Sequence, residues 1–85
     1  MDLKDLPNVG SVLHDALLQV GITTPEELRA AGAKAVFCQI REQVDRGACL
    51  HMLYGIQGAI DGVRDSTLSQ AKKEELKAFF KSLGK

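Results

Sequence analysis

DLPNVGSVLHDALLQVGITTPEEL, residues 5–28, holds a tight turn, a helix with a glycine stop, and the cap of a second helix. After Leu6-Pro7-Asn8-Val9-Gly10, the apolar residues Val12, Leu13, Ala16, Leu17 and Val20 recur at three- and four-residue steps, with His14, Asp15 and Gln19 between them. That spacing predicts an amphipathic helix with all five residues inward. Gly21 suits the C′ position that ends it. Thr24 then stands as N-cap, Pro25 at the first helical position and Glu27 three residues after the cap, which predicts a capping box on a short helix ending at Gly32. The turn itself has the physics of an anion site, because backbone amides at a helix N-terminus carry partial positive charge. The candidate phosphate contacts are Asn8, Val9, Gly10, Ser11 and Val12. Yet residues 5–28 contain no lysine or arginine, and Asp15 would repel a phosphate. These residues favour a structural turn over a gripping one.

Downstream, AKAVFCQIREQVDRG places Val36, Phe37, Ile40 and Val44 on one stripe and is expected to stay helical to Gly47. ACLHMLYGIQGAIDGV is apolar on most of its circumference through Cys49, Met52, Leu53, Ile56, Ala59, Ile60 and Val63, so it belongs at the centre. Its glycines Gly55, Gly58 and Gly62 each cost up to ~1 kcal/mol of helix propensity relative to alanine, which points to close helix–helix approach. Ser69 can cap QAKKEELKAFFKSL, with Leu76, Phe79, Phe80 and Leu83 inward. Lys72, Lys73, Lys77 and Lys81 then form a candidate basic surface facing water. Every segment has helical period, so the expected class is all-α, a compact bundle of about five helices.

The 85 residues suffice for one small domain that buries roughly 60% of its unfolded surface. An apolar fraction of 45% and a charged fraction of 26% argue against disorder. Basic and acidic residues number 11 each, so no overall field draws the chain to nucleic acid or an anionic membrane. The balance is uneven: residues 1–33 carry a net −3 and residues 34–85 a net +3. No apolar run reaches the ~18 residues of a membrane span, and no signal peptide opens the sequence. A cytoplasmic location is the expectation. Cys38 and Cys49 form no CxxC and read as buried thiols.

The hairpin and the two helices after it resemble the helix-hairpin-helix pattern, whose amides approach DNA phosphate without sequence preference. A wider set of residues narrows the match. Leu6-Pro7-Asn8-Val9-Gly10, Gly21-Ile22, Thr24-Pro25-Glu26-Glu27-Leu28, Ala48-Cys49-Leu50 and Leu53-Tyr54-Gly55 to Gly58-Ala59 together resemble the C-terminal domain of the TfoX/Sxy family, regulators of DNA-uptake competence, over roughly residues 3–80. The resemblance implies a single domain over 1–85, with a helix-hairpin-helix-like part at 3–32 and a helical remainder at 33–83. It also implies a non-enzymatic regulatory module acting through a protein partner or a DNA-bound complex. The alternative is a sequence-independent DNA binder that grips phosphate through the hairpin, with weak affinity.

Chemistry elsewhere is sparse. Ser11, His14 and Asp15 share one predicted helix without an oxyanion site, so no enzyme is expected. Cys38, Cys49, His14 and His51 lack a second pair at zinc spacing, so neither metal nor cofactor is expected. His51 and Tyr54 share a face of the central helix and form a candidate partner surface. Arg41, Arg46 and Arg64 would make a basic patch only if the fold unites them.

Overall fold

The ends of the helices follow from local chemistry. The computed structural model describes residues 1–84. A single 3₁₀ turn, Leu3–Asp5, leads into the hairpin, and α1 spans Ser11–Gln19. Gly21 follows with a φ of 84°. In α2, Pro25–Ala31, the capping box is complete: Thr24 Oγ1 accepts from the Glu27 amide at 3.1 Å, and Glu27 Oε1 accepts from the Thr24 amide at 3.2 Å. The same carboxylate accepts from the Thr23 hydroxyl and the Thr23 amide, both at 2.7 Å. The Thr23 hydroxyl is the main cause that holds the Glu27 carboxyl below its ordinary 4.5. A lowered carboxyl stabilises the fold above its unfolded pKa and loses that contribution as pH falls through the folded value. Thr24→Ala, which removes the Oγ1 that accepts from the Glu27 amide, is expected to cost about 1 kcal/mol. Denaturant titration at pH 7 checks this; equal midpoints for mutant and wild type would defeat it.

α3, Ala33–Gln43, and α4, Leu50–Asp61, form the centre, and α5, Gln70–Leu83, closes the bundle. A second 3₁₀ turn, Asp65–Thr67, joins α4 to α5, and Ser69 Oγ caps α5 by accepting from the Lys72 amide at 3.1 Å. α4 packs on α3, α5, α2 and the second 3₁₀ turn, while α1 lies on α3. Leu17, Leu28, Val36, Phe37, Ile40, Leu53, Ile56 and Leu76 are fully buried between them. Each such side chain contributes about 1.5–3 kcal/mol through burial. Phe37 meets Phe80 at 6.0 Å between ring centroids, which ties α3 to α5. The class is all-α with five α-helices and no strand among the described residues.

Four expectations change. α3 stops at Gln43 rather than Gly47, because Val44 and Asp45 both donate to the Ile40 carbonyl and turn the chain early. Cys49 is exposed as N-cap of α4 and Cys38 is half-buried, so neither is a buried thiol. Val63 lies beyond α4 and is exposed. Gly62 ends α4 in the left-handed region, φ 75°, where it serves backbone geometry and not helix packing.

Candidate interface at the hairpin

Asn8 is the only non-glycine residue with positive φ, 70°, among the described residues. Most L-residues pay roughly 1–2 kcal/mol there, and asparagine tolerates the region better than most. The left-handed turn points its side chain into the molecule. Its Nδ2 donates to the Gly55 carbonyl at 3.3 Å and to the Val63 carbonyl at 3.0 Å, and its Oδ1 accepts from the Asp65 amide at 3.1 Å. The Asn8 side chain, expected beside an anion if the turn gripped one, instead joins the hairpin to the end of α4. Gly58 makes room for it: a Cβ there would lie 2.5 Å from Asn8 Nδ2 and 2.7 Å from the Val63 oxygen. The central-helix glycine therefore admits a hairpin side chain and the chain after α4, not a neighbouring helix.

Beside this joint runs an open groove of about 760 Å³, bordered by the first turns of α1 and α4 and by Arg64. The first backbone bond into α1 is the His14 amide to the Gly10 carbonyl at 2.9 Å, so the amides of Ser11, Val12 and Leu13 precede it. No side chain caps α1 or α4, and neither has an acidic residue in its first turn. Val12, expected inward, is 73% exposed at this groove because the buried stripe runs through Leu13, Ala16 and Leu17 instead. His51 also borders it and meets Asp65, Nε2 to Oδ2, at 3.1 Å.

Residues 1–80 match the family model for the TfoX C-terminal domain. The chain belongs to the TfoX C-terminal domain family. It is 36% identical to Protein Sxy of Escherichia coli (strain K12) over 81 residues, which is 95% of this chain and 38% of that protein. It is equally 36% identical to the DNA transformation protein TfoX of Haemophilus influenzae over 74 residues, 87% of this chain and 34% of that one. The chain thus spans little more than a third of these relatives. A crystal structure of an uncharacterized protein from Listeria monocytogenes, triclinic form, is 44% identical and superposes with a TM-score of 0.95 over 99% of this chain and 94% of its own. A tetragonal form of a Listeria monocytogenes protein of unknown function is 46% identical, with a TM-score of 0.91 over 95% and 98%.

The remaining candidates scatter over this TfoX C-terminal domain. Tyr54 sits half-buried in the seam of α4 with α5, its hydroxyl donating to the Lys73 carbonyl at 3.3 Å, so it and His51 do not share one open surface. Lys72 pairs with Glu75 at 3.3 Å, and Lys73 Nζ reaches the Ser66 carbonyl at 3.4 Å. Lys34 holds Glu75 at 2.7 Å and is the main cause of its lowered pKa. Of the four lysines, Lys77 and Lys81 are exposed and Lys72 and Lys73 are half-buried. Arg41 lies over the Phe80 ring at 5.5 Å and shares a second groove, about 600 Å³, with Arg46. Arg64 borders the hairpin groove instead, so the three arginines form no single patch. Among the described residues no hydrogen bond joins Ser11, His14 and Asp15, and no three His, Cys, Asp or Glu side chains gather for a metal. Among the described residues no helix is long and apolar enough to cross a membrane. Sequence reasoning missed Arg64 as a neighbour of the hairpin, because the joint that brings them together spans most of the chain.

Proposed function

We propose that this chain is a single, non-enzymatic regulatory domain that works by binding a protein partner, with the hairpin kept for structure. Two likenesses support the regulatory part: membership of the TfoX C-terminal domain family and similarity to a DNA transformation protein. The observation that carries the binding mode is the inward Asn8 side chain, whose three hydrogen bonds stay within the molecule. Residues 1–15 set Asp2, Asp5 and Asp15 against the single Lys4, and the fold adds only Arg64 at the groove beside the hairpin. A cytoplasmic setting fits this reading, and no catalytic group is invoked.

Titration of random duplex DNA at two salt concentrations tests it. Binding at physiological salt is expected to be weaker than the roughly 10⁻⁴–10⁻⁶ M of ordinary non-specific binders, since that affinity comes from lysine and arginine displacing counterions. Residual binding should show a shallow slope, about −1.8 for two neutralised phosphates. It should vanish in Lys77→Glu with Lys81→Glu, the two exposed lysines of the last helix. Micromolar binding that survives this double substitution would make the hairpin the site and end the proposal.

A further inference from the structure

We propose that the groove between the first turns of α1 and α4 receives a short extended segment of the partner protein, in which an apolar side chain adjoins a carboxylate. This rests on the protein-binding reading above and names the chemistry of the occupant. Single exposed apolar residues are ordinary on protein surfaces. Val12 differs by its setting: it stands at the rim of a concave surface with half-buried Met52 on the other wall and Arg64 close by. Methionine adapts its shape to varied apolar side chains, which suits a docking surface.

Arg64 and the two helix starts ask for a negative complement. Among the described residues Arg64 makes no ion pair. The one acidic residue of the lining, Asp65, already faces His51 through its carboxylate and Asn8 through its amide. Both helix starts that border the groove lack a capping side chain and a first-turn acid, whereas α2 carries Glu26 and Glu27 there. Partial positive charge from both therefore adds to that of Arg64. A duplex is a poor complement, because its phosphates recur every ~1.7 Å, whereas the lining offers Arg64 as its one lysine or arginine, next to Asp65. One carboxylate beside an apolar side chain matches a lining that holds Arg64, Val12 and Met52.

A random linear peptide library displayed on phage, selected against the whole chain, provides the test. Enriched peptides are expected to pair leucine, isoleucine, valine or phenylalanine with a neighbouring aspartate or glutamate. The strongest is then synthesised and titrated against wild type, Val12→Asp, Arg64→Glu and the control Arg46→Glu. Val12→Asp and Arg64→Glu should each weaken it by about tenfold or more, while Arg46→Glu stays within about twofold. All three positions are exposed, so circular dichroism should show unchanged helicity. Enriched peptides that are basic, or that bind Val12→Asp and Arg64→Glu as they bind wild type, overturn the groove while leaving protein binding intact. A library without enrichment overturns it too, and together with micromolar duplex binding it removes both readings.

Discussion

Asn8→Asp is expected to destabilise the fold by about 2–3 kcal/mol at pH 7, enough to lower the thermal midpoint by about 10 °C. The substitution changes one atom. It turns the donor that faces the Gly55 and Val63 carbonyls, at 3.3 and 3.0 Å, into a charged acceptor facing two acceptors. The bond from the Asp65 amide survives, so the loss isolates the donor side of the joint. The sign with pH follows: the native state disfavours the ionised carboxyl, which raises its folded pKa above the ~3.9 of an unfolded aspartate. The variant is then closest to wild type below about pH 4 and falls away as pH rises through the folded pKa. Asn8→Gly, which keeps the left-handed backbone but removes the whole side chain, should lose about 1–2 kcal/mol at every pH. Denaturant midpoints across pH 3–8 separate these cases. An Asn8→Asp protein as stable as wild type at pH 7 would mean the joint does not hold the hairpin.

Gly58→Ala is the second large effect, about 1–3 kcal/mol of destabilisation, although alanine is the better helix former by roughly 1 kcal/mol. The added methyl would meet Asn8 Nδ2 at 2.5 Å and the Val63 carbonyl at 2.7 Å. The first can swing away, but the second is backbone, fixed by its own amide bonding to the Gly58 carbonyl at 2.9 Å. Gly55→Ala is the control: its nearest neighbour, Asn8 Cβ, would lie at an ordinary 3.6 Å. That variant should be neutral or more stable by up to about 1 kcal/mol. In a double-mutant cycle, Asn8→Gly should relieve part of the Gly58→Ala penalty, with a coupling of at least about 0.5 kcal/mol. Equal midpoints for Gly58→Ala and Gly55→Ala would show that the two glycines stand in equivalent space.

What the sequence discloses about this domain depends on distance along the chain. The capping box of Thr24, Pro25 and Glu27, the stop at Gly21 and the cap at Ser69 are legible because each involves residues within four positions of one another. The family resemblance, read over residues 3–80, agrees with a family match over 1–80. Gly58 is legible as a place of close approach, but not what approaches it, since its neighbour Asn8 lies fifty residues away. Val12 misleads because its four-residue spacing to Ala16 is helical either way. Only the position of α3 decides which edge of the stripe is covered. Likewise His51 and the hairpin read as separate features, and the fold makes them two sides of one groove.

Asn8 also sets an order of events. Its partners lie 47, 55 and 57 positions later in the chain. At roughly 5–20 residues per second, a ribosome that has made the turn needs about 3–11 s to make Asp65. Through that interval Leu3, Leu6 and Val9, all buried at the end, have no α4 terminus to fasten them. Closing so long a loop comes late, since its entropy must be lost before the contacts return anything. Substitutions at the joint should therefore hasten unfolding more than they slow folding. A chain cut after Asp61 would keep every residue of the hairpin and still release its N-terminus.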